Sequence, residues 1–470
     1  PDGSTAGLST SGSTATLVPD MVGEWEVEMT AATGTVTNTA ADTDVVAFSV
    51  VDNFSPVVEV ETGDSVGFSG DSLTLDASHS YDPAGTDLSF SWEVIVSPDG
   101  ATVSPETGND EVFTFSADAS GAYEVQLEVS DGFNDAIEKT FPVSVLAIAK
   151  EYTFDVIGAA HHYSEDIIAV VSAGPHQVHI IDVPSGDRES VELPLMPISV
   201  AINPNGDEIA VGHDGWVTVI DIETAEVLVS HPVDVQANSV VHGGNGYIYA
   251  LPPGQWERVR GVRISDGETH EHEGFSVYGG TIMRIHPIEP WIYAANRGLS
   301  PSDIEKYDIS TVPTEYVSDS PYHGTYAMCG DLWLTWDGVR IITACGNTFR
   351  SSEVSSQDMV YAGALDMGDV NRVLWAGHSP DRGEIVTAVG DLGWNQDIPG
   401  DAALIRFEDQ YLNRLSFQGV PEYVKGGNTH EIVPELVAYH SGDEGVFLLA
   451  NLESANAQGH SVLIQMRLEN

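Results

Sequence analysis

Residues 200–233 read VAINPNGDEIAVGHDGWVTVIDIETAEVLVSHPV. Four short strands fit this stretch. Val200 to Asn203 alternates up to the tight-turn signal Pro204-Asn205-Gly206, and Ile209 to Gly212 is an apolar run short enough only for a strand buried on both faces. His213-Asp214-Gly215 turns the chain into Trp216 to Ile222, and Glu223-Thr224-Ala225 turns it into Glu226 to Ser230. A lone four-stranded meander cannot bury both of its faces, so the stretch predicts copies of itself on either side.

The copies exist. Ile209-Ala210-Val211 has counterparts at Ile168-Ala169-Val170-Val171, Ile248-Tyr249-Ala250, Ile292-Tyr293-Ala294, Ile342-Thr343-Ala344, Val386-Thr387-Ala388 and Phe447-Leu448-Leu449. They recur at steps of roughly 40 to 60 residues, the period of four-stranded propeller blades. A signature on the third strand recurs as Ile181-Asp182-Val183, Ile220-Asp221-Ile222 and Tyr307-Asp308-Ile309. On these features residues 149–470 resemble the YVTN-type seven-bladed β-propellers, a likeness that implies architecture and hardly any function. The last blade has three strands of its own, in Ile432 to Tyr439, Val446 to Ala450 and Val462 to Leu468. Tyr152 to Ile157 is expected to pair onto its outer edge, closing the ring and removing exposed edges.

Upstream, residues 55–148 carry Leu73-Thr74-Leu75-Asp76-Ala77-Ser78, Asp82-Pro83-Ala84-Gly85, Phe90-Ser91-Trp92 and Gly121-Ala122-Tyr123 with Val129-Ser130-Asp131-Gly132. In that order these are similar to the PKD/REJ-like immunoglobulin-type sandwiches. The resemblance implies that Trp92 fills the space between two sheets and Tyr123 ties a strand corner. It also implies a calcium site at Asp76, Asp82 and Asp131, positions that turn chemistry explains without an ion. Residues 1–54 resemble only the second half of such a domain, with Trp25 where the corner Tyr normally stands. Missing sequence or another chain would supply the rest, the second case implying self-assembly through the half sandwich. The fold class expected is therefore all-β: a partial and a complete PKD-like sandwich, then a seven-bladed propeller closed by an N-terminal strand.

Composition bounds the partners. The 470 residues hold 17 Lys+Arg against 72 Asp+Glu, a net charge of −55. That argues against nucleic acid, whose phosphates need cations, and suits a secreted protein kept soluble by self-repulsion. No apolar run is long enough to span a membrane. Cys329 and Cys345 flank a predicted hairpin, Leu332 to Ala344, and are expected to form a disulfide in an oxidising compartment.

Ligand chemistry is expected where propeller loops gather. Arginine is scarce, yet Arg258, Arg297 and Arg350 fall in loops between second and third strands, beside Trp256, Phe349 and Trp394; the fifth such loop is taken as Gly346 to Gln357. Interblade loops add His323 and His430. Forked guanidinium bonds and aromatic faces suit an anionic or sugar-like ligand. His270-Glu271-His272 reads as a solvated outer-strand patch, and His286 and His378, before hairpin turns, read as structural. No catalytic motif or cofactor fingerprint is present. The function expected is an extracellular or cell-surface, non-enzymatic binding or adhesion protein, its sandwiches spacing a propeller that binds a glycan, a surface polymer or a protein. The alternatives are a propeller enzyme, hydrolase or metal- or quinone-linked oxidoreductase, with its site in the central funnel, and a subunit of an extracellular filament or surface layer.

Overall fold

The computed structural model describes the chain except residues 1, 12–13, 34–39, 51–53, 62–64, 298–301, 392–399, 426–427, 443–444, 454–459 and 468–470. Among the described residues every regular element is a strand, and no helix is long and apolar enough to cross a membrane.

Six consecutive four-stranded antiparallel meanders occupy 158–192, 199–236, 239–271, 282–319, 332–364 and 372–419. The first strand of each lies against the first strand of the next. Asn428–Tyr439 lies against both Arg372–Ser379 and Gly158–His162, so the circuit of first strands returns to its start. All seven apolar cores read from the sequence fall on the second strand of a meander, or in Ala344 one residue past it, and every one of their residues is at most 2% exposed. These positions are enclosed by strands within the sheet and by sheets on both faces, which is why they lack polar alternation.

The recurring Asp of the third strand has a turn-capping role. Asp182 accepts bonds from Ser185 N and Oγ, Asp221 from Thr224 N and Oγ1, and Asp308 from Ser310 N. Each carboxylate thereby starts the turn into the fourth strand.

Asn428–Tyr439, Gly445–Glu453 and Ser461–Arg467 form the last meander, and its fourth strand arrives from upstream. Ile137–Tyr152 is one 16-residue strand: residues 137–145 pair with Gly121–Ser130, and residues 147–152 pair antiparallel with Ser461–Arg467. The outer-edge partner thus begins five residues before the expected Tyr152 to Ile157, of which Tyr152 alone joins the ladder. The segment beyond it is fastened by side chains: Asn451 Oδ1 accepts from Val156 N at 2.8 Å and Ser461 Oγ donates to Phe154 O at 2.9 Å.

The upstream part of that strand belongs to a sandwich whose sheets hold Leu73–Asp76, Val112–Ala117 and Val103–Ser104 on one side and Ser89–Val96 and Gly121–Ser130 on the other. Trp92 is fully buried against Phe113, and its indole N–H donates to Asp110 O. Tyr123 Oη donates to Ala119 O, four residues back. Trp25 Nε1 makes the same four-residue reach to Met21 O, so the indole performs the corner bond of the phenol. Around it stand two separate hairpins, Leu8–Ser11 with Thr14–Leu17 and Gly23–Thr33 with Ala40–Val50.

Cys329 and Cys345 are bonded, their Cα atoms 5.4 Å apart. The bond ties the connection before the fifth meander to the turn between its second and third strands. Closing a loop of this length is worth about 3 kcal/mol. Cys345→Ser is therefore expected to lower the denaturant midpoint of the propeller transition by an amount equivalent to roughly 2–4 kcal/mol; an unchanged midpoint would show that the bond contributes nothing in solution.

Candidate functional site

Three arginines converge beside one carboxylate at the fourth, fifth and sixth meanders. Arg284 lies on Ile282–Ile285, Arg297 follows Trp291–Ala295, and Arg372 opens Arg372–Ser379. Asp331, just before Leu332–Leu334, accepts from Arg284 Nη2 at 3.4 Å to each oxygen, and Arg297 Nη2 stands 3.9 Å from its Oδ2. Backbone carbonyls orient the forks: Arg284 Nε donates to Leu332 O, Arg297 Nε to Gly330 O and Arg372 Nη2 to Cys329 O. Burial pushes the Arg372 guanidinium below its ordinary value and Arg297 adds to the shift, while Asp331 opposes it. Three guanidinium groups against one carboxylate leave local positive charge in a chain of net −55.

Gly330 makes the approach possible. Its φ is +74°, and a Cβ there would stand 2.1 Å from Arg297 Cγ.

Arg284 also lines the central cavity, about 170 Å³, with Tyr163, His161, Trp333, Trp336 and Trp375. Its guanidinium carbon is 5.5 Å from the Trp375 ring centroid, and the Trp333 and Trp375 rings are 6.2 Å apart. Trp333 is 5% exposed, and its indole N–H finds no acceptor among the described residues. The cavity wall thus combines three indole rings with one cation, and a guanidinium in such a setting favours an anion. Burial, with neighbouring His162 and His440, holds His161 down at about 3, and burial holds His242 down at about 4. Neither imidazole adds positive charge at neutral pH.

Of the residues expected to bind, Trp256 and Arg297 each approach the connection before the fourth meander. Trp256 is exposed, at φ +62°, with its ring 5.2 Å from Tyr278. A Cβ on Gly280, two residues on, would touch Arg297 Cβ at 3.3 Å, so the connection that carries Tyr278 runs beside Arg297. Arg258 is half-buried and occupied: Nη1 donates to His272 O and Gly274 O, and Glu271 lies 4.0 Å away. His323 is exposed, its Nδ1 3.0 Å from Asp303 Oδ2.

Three residues sit elsewhere. Phe349 is fully buried among Tyr322, Tyr326 and Tyr361, and Arg350, although exposed, pairs across the strands with Arg340 at the opposite end of the sheet. The reason is the turn: Gly346, at φ +77°, makes the connection only 344–346, so Phe349 and Arg350 belong to the third strand, Asn347–Arg350. His430 is 7% exposed on Asn428–Tyr439. Trp394 lies outside the described residues.

His286, His378 and His272 have structural partners. His286 Nδ1 accepts from Ile288 N and Glu289 N while its Nε2 reaches Gly338 O of the next meander, and His378 Nδ1 accepts from Trp336 N. His272 is buried rather than solvated, accepting from Val259 N and donating to Phe275 O. The carboxylates Asp76, Asp82 and Asp131 each cap a turn, accepting from Ser78 N, Ala84 N and Phe133 N respectively. They do not form a group close enough to share an ion.

Arg284 and Arg372 escaped the sequence reading because it looked for binding groups in loops. Both stand on first strands, the positions that face a propeller's axis, and asking which basic residues fall there would have found them.

Residues 64–145 match a family model that describes a PKD domain. No curated protein matches the chain. Among solved structures it is similar to the Myceliophteria thermophila Cps50 (Swd1) β-propeller domain, with a TM-score of 0.50 and 10% identity, over 68% of this chain and 99% of that one. At that identity the likeness concerns fold alone. The chain is all-β, with a PKD-like domain and a β-propeller.

Asp331 at present occupies Arg284 and Arg297 as an internal anion. Asp331→Asn is expected to raise the affinity for sulfate about tenfold, equivalent to about 1.4 kcal/mol, as read by calorimetric titration. An unchanged affinity would mean that the three guanidinium groups do not act on anions together.

Proposed function

From that all-β architecture we propose an extracellular, non-enzymatic binding protein. Its propeller has seven blades, closed by the strand that leaves the PKD-like sandwich, and takes an acidic, sugar-like ligand beside the aromatic pair. The observation that carries the reading is the convergence of Arg284 and Arg297 on one carboxylate, with Arg372 held beside them on Cys329 O, in a chain with so few cations. Forked guanidinium donors suit carboxylate or sulfate groups, and the exposed Trp256 ring beside Tyr278 suits the face of a sugar. The disulfide and the acidic surface agree with an oxidising, extracellular setting. In this reading the sandwich is a spacer held at a fixed angle, because the strand that ends it also ends the propeller.

The test is an array of sulfated, uronate-bearing and neutral glycans probed with the full chain. Retention of the acidic members is expected, reduced at least tenfold by Arg284→Ala with Arg372→Ala and by Trp256→Ala, since each lost charge-assisted bond is worth about 1.5–3 kcal/mol. Equal retention of neutral glycans, or indifference to the arginine replacements, would contradict the reading.

A further inference from the structure

The fourth meander carries a second polar cluster on its other face, toward the third meander. Its second and third strands pair Ala295 with Ile304 and Ala294 with Glu305. The ladder runs one step further, where Asn296 N donates to Asp303 O at 3.1 Å. Asn296 and Asp303 are thus opposite one another, and alternation sends their side chains to the face that carries Glu305. Glu305 in turn pairs with Asp319 of the fourth strand. Four residues therefore emerge side by side, and His323 closes the group with Nδ1 3.0 Å from Asp303 Oδ2.

Two observations independent of each other point to an ion. One ligand atom from each of Asp303, Asp319 and His323 lies within 4.8 Å of the others, close enough to share a cation with bonds of roughly 2.0–2.6 Å. Asn296 is fully buried, and among the described residues neither its amide oxygen nor its amide nitrogen has a partner. Native structures pair such groups, because an unsatisfied buried one costs about 1–3 kcal/mol. A cation at the cluster gives Oδ1 the partner it lacks.

The surroundings are built to hold the ligands in place. Asp303 is 7% exposed; its Oδ1 accepts from Ile304 N at 2.8 Å and from Ser320 Oγ at 2.5 Å. Glu305 is 5% exposed and accepts from Tyr307 Oη at 2.5 Å. Such outer bonds fix the direction of metal-binding carboxylates. The acidic protein as a whole draws cations toward it.

We propose that Asn296, Asp303, Asp319 and His323, backed by Glu305, bind one divalent cation. The imidazole among oxygen donors selects a first-row transition ion such as Mn²⁺ or Zn²⁺ over Ca²⁺ or Mg²⁺. The site lies across the fourth meander from the arginines and does not depend on the glycan reading.

The experiment uses the full chain stripped with a chelator and titrated separately with MnCl₂, ZnCl₂, CaCl₂ and MgCl₂, with calorimetry for stoichiometry and thermal unfolding for linkage. One ion per chain is expected, Zn²⁺ or Mn²⁺ raising the melting temperature. Asp319 and His323 are exposed, so Asp319→Asn and His323→Ala leave the core intact, and each is expected to weaken binding at least tenfold. Asn296→Ala is expected to do the same, while Asp234→Asn, on the fourth strand of the second meander, changes nothing. Binding weaker than millimolar, binding without unit stoichiometry, or binding that survives both Asp319→Asn and His323→Ala overturns the site. Preference for Ca²⁺ over the transition ions overturns its assigned class.

Discussion

Five residues at the end of one long strand, 147, 148 and 150–152, pair with Ser461–Arg467, the last strand of the chain's final meander. Without them that meander has three strands and an open edge, and open edges recruit other chains. With them the first and last parts of the propeller are tied by backbone bonds that span more than three hundred residues of sequence. The same strand ends the sandwich, so the two bodies share a structural element rather than a linker. Apolar packing continues across the junction: Phe68 and Leu146 join a core with Val446, Leu448, Ile464 and Met466, and the Phe68 ring meets Tyr423 edge-on at 5.4 Å. Glu151 accepts from Tyr423 Oη at 2.7 Å and pairs with Lys425, fastening the outside of the joint.

The placement of polar chemistry follows from that closed circuit. First strands lie against one another around an axis, so a basic residue on one of them meets residues from the neighbouring meanders. Arg284 and Arg372 reach Asp331 and Cys329 O in this way. Three of the 17 cations of an acidic chain gather where three meanders meet, while Asp303, Glu305 and Asp319 of the fourth meander gather on its opposite face. Side-chain alternation within one sheet separates the two clusters, which explains how Arg297 and Asn296, adjacent in sequence, stand on different faces.

Much of this was legible in the sequence, because it is written in local periodicity. The apolar triplets mark the second strands, since only doubly covered strands lose alternation. The third-strand Asp marks the turn that follows, since a carboxylate two or three residues before free N–H groups caps it. Trp92 and Tyr123 stand where the sandwich pattern puts them. Less legible were features decided by a single residue's backbone. Gly346 shortens one turn and moves Phe349 from a loop into the core. The edge partner of the last meander begins at Ala147 because the sandwich strand runs on without a break, and nothing in the alternation of residues 143–157 marks where one domain hands over to the next. His272 reads as solvated from its charged neighbours, yet the chain folds back over it and gives both ring nitrogens partners.

Hydrogen–deuterium exchange on the intact chain tests the shared strand most directly. Peptides covering residues 147–152 are predicted to exchange as slowly as those covering the second strands of the meanders, because their amides would open only when the ring itself opens. Exchange there as fast as in the surface turns would contradict the account, and with it the fixed relation between sandwich and propeller.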